Sequence, residues 1–281
     1  MERAIAHELQ LARRMSRLGT ETAFEVLNKA RALEHQGRSI IHLEIGEPDF
    51  DTPSNVVEAG VTALRKGWTH YGPSAGLPDL RQALAEYVSR TRGVKVTSEE
   101  VVVVPGGKPI IFFTILSLID EGDEVIYPNP GFPIYESMIH YVGGRAVPIQ
   151  LREERDFSLD VGELASLIND RTKLIIINSP QNPTGGVLAR RGIEQIADAI
   201  GDRNIMVLSD EIYSRLLFDG GQHFSIMSVP GMQERTILLD GFSKTYAMTG
   251  WRMGYGVMRP DLAAHMTRLM TNSHSCTASF T

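Results

Sequence analysis

A single cysteine, Cys276, stands among 281 residues, so no disulfide can form within the chain. The expected setting is therefore a reducing one, the cytoplasm. Nowhere do about 18 apolar residues run together, the length a membrane helix needs, and a membrane span is excluded from the reading. The opening stretch MERAIAHELQLARRM carries charge throughout and lacks the apolar centre of a secretory signal. Net charge is −6 with no long run of one sign, so neither nucleic acid nor an anionic membrane finds an electrostatic footprint. Internal repeats and low-complexity segments are missing as well. What remains is ordinary for a globular protein: 42% hydrophobic and 22% charged residues. The length fits one large α/β domain and part of a second.

Short apolar runs punctuate the chain at Val101–Val104, Val125–Tyr127, Leu174–Ile177, Ile205–Leu208 and Thr236–Leu239. They are rich in β-branched residues and do not alternate with polar ones, as strands covered on both faces do not. Between and before them lie helix-like stretches: Leu80–Arg90, Pro109–Ile119, Tyr135–Tyr141, Val161–Ile168 and Ile193–Ile200. Gly93 stands where a C-terminal cap belongs. This rhythm predicts a mostly parallel, doubly wound sheet with helices on both sides. Residues 1–53 differ. A helix is expected over Thr22–Glu34, stopping near Gly37, then an extended Ile40–Ile45 and the irregular GEPDFDTP. They read as an N-terminal arm that enters the large domain near residue 54. After Pro260 a helix is expected to begin, and the chain stops soon afterwards. The expectation is a truncated chain whose last strand, near residues 253–258, is left as an open sheet edge.

Functional groups in such sheets gather at the carboxyl ends of the strands. After the first run comes Pro105-Gly106-Gly107-Lys108. It reads equally as a phosphate seat at a helix N-terminus or as a plain strand-to-helix turn, and it lacks the P-loop pattern. After the second, Phe132 can stack on a flat ring or simply pack in the core. The third is followed by Asn178-Ser179-Pro180-Gln181-Asn182-Pro183-Thr184-Gly185, a turn stiffened by proline that can hold one amide in place. Asp210, after the fourth, can cap a helix or pair with a protonated ring nitrogen. Lys244, after the fifth, is either a surface lysine or an amine made nucleophilic by desolvation. Arg252 follows eight residues later.

Taken in order, the segments IGEPDFDTP, HYGPSAGLPDLR, PGGK, PNPGFPIYE, NSPQNPTG, SDEIY and SKTYAMTGWRMGYG resemble fold-type-I pyridoxal-phosphate (PLP) enzymes of the aspartate aminotransferase family. The resemblance runs from about Phe24 to the last residue, and its final segment is highly specific. It implies an α/β PLP-transferase fold and transfer of an amino group between an α-amino acid and a 2-oxo acid, in amino-acid metabolism. It further implies that Lys244 holds PLP as a Schiff base and, once freed by substrate, moves the α-proton. Asp210 matches the carboxylate that keeps the ring nitrogen protonated. Asn182 and Tyr213 match hydrogen-bond partners of the ring's phenolic oxygen, and Phe132 matches the stacking aromatic. Gly107, Lys108 and Arg252 match the phosphate cradle. Tyr71 matches a tyrosine that reaches the phosphate of a neighbouring subunit, which implies a homodimer. Gly46 matches the glycine beside the substrate carboxylate.

The chain departs from the family pattern in two places. Gly241 stands where some members carry a hydroxyl residue. The C-terminal small domain, with its carboxylate-clamping arginine, is expected to be absent, leaving residues 54–281 as the PLP-binding large domain and 1–53 as arm and part of the small one. PLP-dependent β-lyases and synthases share the fold and would carry the same lysine and aspartate. A non-catalytic PLP- or amino-acid-sensing module is the rival from another class. Only about twenty residues precede the recognisable region, too few for the DNA-binding segment such modules carry.

Overall fold

Among the described residues, three α-helices precede the first strand: α1 (Ala23–Glu34), α2 (Ser54–Arg65) and α3 (Pro78–Arg92). Strands and helices then alternate through β1 (Val101–Val104), α4 (Lys108–Leu118), β2 (Glu124–Asn129), α5 (Ile134–Val142) and β3 (Arg145–Gln150). They continue with α6 (Val161–Leu167), β4 (Thr172–Asn178), α7 (Arg190–Ile200) and β5 (Met206–Asp210). Two more strands, β6 (Thr236–Gly241) and β7 (Gly254–Val257), lead to α8 (Pro260–Ser273). The structure, a computed structural model, describes residues 9–281. The first eight residues of the expected arm lie outside it.

Local chemistry accounts for several boundaries. Pro78 and Asp79 occupy the first turn of α3, where a missing N–H costs nothing and a carboxylate meets the helix dipole. Gly93 ends the same helix at φ 66°, a left-handed conformation that a Cβ would oppose. Asp160 caps α6 by accepting from the backbone N–H groups of Gly162 and Glu163 at 2.8 and 3.1 Å.

The strands form one sheet in the order β1-β7-β6-β5-β4-β2-β3. Pairings among β2, β3, β4, β5 and β6 are parallel, and β7 is antiparallel to both of its neighbours. Only β7 therefore runs backwards, and the carboxyl ends of the other six share one rim with the amino end of β7. Period-two alternation sends successive strand residues to opposite faces. Leu174 and Ile176 pack with α4, α5 and α8, whereas Ile175 and Ile177 pack with α6 and α7. A third cluster joins Val101, Val103 and Leu238 to Leu84, Ala85 and Val88 of α3. Helices thus cover both faces, as the unbroken apolar runs require. Each fully buried Leu or Ile contributes roughly 1.5–3 kcal/mol.

Three sequence expectations need correction. The strand near residues 253–258 is no edge: β7 lies between β1 and β6, with all four residues buried. Being last in sequence does not make a strand last in space, and an antiparallel strand slots between two neighbours that point alike. The expected extended segment Ile40–Ile45 joins no strand of the sheet, and Ile41 and Leu43 are exposed. The sheet has an edge at β3, absent from the expected set. Arg145 and Gln150 at its two ends face solvent and Pro148 stands within it, a pattern edge strands permit and apolar-run reading passes over.

Candidate active site

Chain order reverses between β2 and β4, adjacent in space yet followed by connections that leave in opposite directions. A crevice opens at such a point. Loops from the shared rim line a cleft of about 820 Å³ there, large enough for a cofactor-sized ligand. Nine of the ten expected site residues line it: Gly46, Gly107, Lys108, Phe132, Asn182, Asp210, Tyr213, Lys244 and Arg252. Tyr71 does not, and its side chain stands 89% exposed.

Lys244 leaves the rim just beyond β6, half-buried, with Nζ 5.8 Å from the centroid of the Tyr213 ring. Its ammonium donates to the carbonyl of Gly46 at 2.5 Å, so the N-terminal arm closes over the amine. Burial pushes the Lys244 pKa below the usual lysine value; Glu47 and Glu21 oppose the shift, and Arg252 adds to it. A lysine so placed holds its proton less firmly and gains nucleophilic character.

Asp210 ends β5 with its carboxylate buried. Tyr135 Oη donates to Oδ2 at 2.6 Å and the Ile212 N–H to Oδ1 at 3.3 Å. Its near neighbours are thus a phenol, a backbone amide and the carboxylate of Glu211, none of them a cation. Burial raises its pKa to about 6 despite the two donors. The Tyr213 phenol is pushed up to about 12, first by burial and then by the Asp210 and Glu21 charges.

An anion-seeking corner faces these groups. Gly107 opens α4 without any side-chain cap; Pro109 has no N–H and the Ile110 N–H donates to the Gly107 carbonyl at 3.0 Å, which leaves the Gly107 and Lys108 amides to face an anion. Arg252, at φ 57°, aims its guanidinium over Gly106, where an added Cβ would press on Nη2. Gly106 itself sits at φ 79°, a left-handed conformation that favours glycine, whereas the Arg252 tip could move aside. Gly241, the departure noted in the sequence, has a packing cause. A Cβ at that position would lie 3.0 Å from the Gly254 Cα and 3.1 Å from Ile212 Cδ1, leaving little room for a hydroxyl residue.

Lys108 is engaged differently from the sequence expectation of a cradle. Its ammonium meets Glu21 Oε2 at 2.5 Å and lies 5.4 and 5.7 Å from the ring centroids of Phe132 and Phe24. Phe132 in turn meets Tyr135 edge-on at 5.8 Å.

Two residues in this site went unnoticed in the sequence. Tyr135, the donor to Asp210, was legible only as part of a helical stretch; its place in the first turn of α5, three residues after Phe132, was the available signal. Asn178 ties the turn that carries Asn182 to the end of β5. Its Nδ2 donates to the carbonyls of Pro180 and Asp210 at 3.2 and 3.1 Å, and its Oδ1 accepts from the Asn182 N–H at 2.7 Å.

Known proteins carry the same frame. The family model described as aminotransferase class I and II matches residues 38–280. An aspartate aminotransferase of Bacillus sp. (strain YM-2) is 38% identical over 94% of this chain and 68% of its own length. An arginine–pyruvate transaminase of Pseudomonas aeruginosa is 40% identical over 88% of this chain and 63% of its own. The solved aspartate aminotransferase from Thermus thermophilus with maleate superposes with a TM-score of 0.93 at 37% identity, covering 97% of this chain and 71% of that one. The chain thus spans 63–71% of the length of these relatives. With the family model matching most of its residues and solved relatives sharing its fold at this identity, the chain belongs to the class I and II aminotransferase family.

Proposed function

We propose that this chain binds PLP through Lys244 and moves an amino group between an α-amino acid and a 2-oxo acid. The observation that carries the reading is a juxtaposition in one cleft. A half-buried lysine of lowered pKa shares it with a buried carboxylate that lacks a cation, beside an uncapped helix N-terminus and a guanidinium. A carboxylate raised to about 6 by burial is what a protonated ring nitrogen would relieve. Free amides and a guanidinium suit a phosphate dianion. The residues present therefore fit PLP.

When bound, PLP supplies an aldehyde for the amine and an electron-withdrawing ring. The chain's own groups supply the rest. Lys244 would be the residue that holds the cofactor, and its amine would serve as the base for the α-proton. Asp210 would hold a proton at the ring nitrogen, with its carboxylate steadied by Tyr135. Asn182 and Tyr213 would donate to the ring's phenolic oxygen, and Phe132 would stack on the ring. Gly107, Lys108 and Arg252 would hold the phosphate, for which Lys108 would exchange Glu21 for the anion. Gly46 would lie beside the substrate carboxylate; its carbonyl already accepts from the Lys244 amine.

The exposure of Tyr71 away from its own cleft supports a role in a neighbouring subunit, and hence a homodimer. Residues 54–281 form the PLP-binding large domain in this reading, with residues 1–53 as arm and part of a small domain. A cytoplasmic setting accords with the single cysteine, and no helix among the described residues is long and apolar enough to cross a membrane.

Borohydride reduction of the PLP-loaded chain followed by peptide mapping tests the attachment. A pyridoxyl group on Lys244 is expected, and labelling of Lys108 or Lys173 instead would overturn the assignment. Adding amino acids singly and following pyridoxamine phosphate against elimination products separates amino transfer from lyase chemistry.

A further inference from the structure

Behind the cleft, on the opposite face of the sheet, lies a buried ionic cluster that the proposed chemistry does not use. Arg92, the last residue of α3, is 4% exposed at its side chain. Its Nε donates to Glu211 Oε2 at 2.8 Å, and its Nη2 to Asp240 Oδ2 at 3.1 Å and Ser214 Oγ at 3.2 Å. Glu211 also accepts from Ser209 at 2.9 Å and Ser225 at 2.5 Å, and contacts His223 Nε2 at 2.8 Å. Asp240 accepts from the Gly241 N–H at 2.7 Å and from the Tyr255 hydroxyl at 3.3 Å.

The two carboxylates stand in telling positions. Glu211 directly follows Asp210, and Asp240 lies four residues before Lys244. Asp210 pairs with Leu239 across β5 and β6, and the Glu211 N–H donates to the Leu239 carbonyl at 2.8 Å. Alternation turns Asp210 and Leu239 to the cleft and Glu211 and Asp240 away from it. One planar guanidinium thus grips, from behind, the ends of the two strands whose front residues form the site. A point-charge ammonium cannot make this forked contact. Three buried charges are also a poor way to gain stability compared with apolar side chains of similar volume, and defining a geometry is a known use of such groups.

We propose that Arg92 is a positioning residue: by clamping Glu211 and Asp240 together it fixes Asp210 and Lys244 relative to each other at the rim. Its bearing on the cofactor rests on the PLP reading above.

The test uses the full 281-residue chain as wild type, as Arg92→Lys, and as an uncharged triple, Arg92→Met with Glu211→Gln and Asp240→Asn. Melting temperature, amide hydrogen exchange, PLP affinity and the induced circular dichroism of bound PLP are measured for each. Arg92→Lys keeps the charge and loses the fork. It should melt within a few degrees of wild type, yet exchange faster at residues 210–213 and 241–244 than elsewhere in the sheet. Its PLP affinity should fall by about tenfold or more, with a weakened dichroic band. The triple should recover stability without recovering affinity or the band. If affinity and dichroism follow melting temperature through all three proteins, or if Arg92→Lys matches wild type in exchange at the two strand ends, the clamp is only a structural ion cluster and the proposal fails. A wild-type chain that takes up no PLP on Lys244 refutes the functional reading, and the exchange data then judge the clamp alone.

Discussion

Asp210 and Glu211 are neighbours in sequence, both carboxylates and both buried, and they live in opposite electrostatic worlds. Alternation puts Asp210 on the cleft face, where a phenol and one amide are its donors. Glu211 faces the reverse side, among Arg92, His223, Ser209 and Ser225. Burial raises the pKa of each, but for Glu211 the His223 and Arg92 contacts more than offset it and bring the carboxyl to about 2. Asp210 stays at about 6. Asp240, at the weaker end of the Arg92 fork, is also raised by burial to about 6. A satisfied buried carboxylate belongs to architecture, whereas one left without a cation at a cleft marks where a cationic group is to be received.

The largest way to break this contrast is to remove the cleft carboxylate. Asp210→Ala should still take up PLP, because the phosphate corner and Lys244 are untouched. The rate at which an added amino acid converts it to pyridoxamine phosphate should fall on the order of 10³-fold. Stopped-flow absorbance measures this, and a near-normal rate would remove Asp210 from the chemistry.

A second change sharpens the contrast through stability. The folded-state pKa of Asp210 lies above the ordinary 3.8, so its favourable contribution is complete below pH 4 and is lost as pH rises through about 6. Above that, keeping the ionised group buried costs on the order of 3 kcal/mol. Asp210→Asn should therefore raise the melting temperature of the PLP-free chain at pH 7.5, with the advantage fading towards pH 4. Glu211 has the opposite sign. Its depressed pKa contributes stability above about 4.5 that is lost as pH falls towards 2, so Glu211→Gln should flatten that acid limb in a melt series. An Asp210→Asn advantage that grows on acidification would contradict the assignment.

A smaller effect is expected from Tyr135→Phe, which removes the shorter of the two hydrogen bonds to Asp210. The carboxyl should move further upward, and PLP should bind about five- to thirtyfold more weakly, matching the roughly 1–2 kcal/mol of such a bond. Equilibrium titration of PLP onto both proteins reads this directly. The smallest effect belongs to the Lys108–Glu21 pair, whose partly exposed charges are screened by solvent. Glu21→Gln should change stability by less than about 1 kcal/mol in denaturant unfolding. If Lys108 is freed for the phosphate, PLP affinity should rise slightly.

Much of this molecule was legible before any coordinates. The apolar runs of β1, β2, β4, β5 and β6 announced a sheet covered on both faces because nothing in them alternates. The residue after each run announced the rim, since functional groups of parallel sheets collect there. Strand β3 escaped because its partly exposed residues weaken the apolar signal. The place of β7 escaped because sequence order carries no information on which neighbours a strand inserts between. Tyr135 and Asn178 escaped for another reason: each acts through a hydrogen bond to a residue that another element brings close.

Periodicity, composition and motif order by themselves determined the α/β class, the strand-end residues Asp210 and Lys244, and the family resemblance, because these depend on local pattern and chain order. Tertiary structure alone decided which face each carboxylate meets, and that assignment sets their charge. It put Arg92, 119 positions from Glu211 along the chain, behind β5 and β6, and left Asp210 without a cation in front. Burial and the spatial arrangement of partners govern a buried carboxylate's charge, and neither can be read from two adjacent letters.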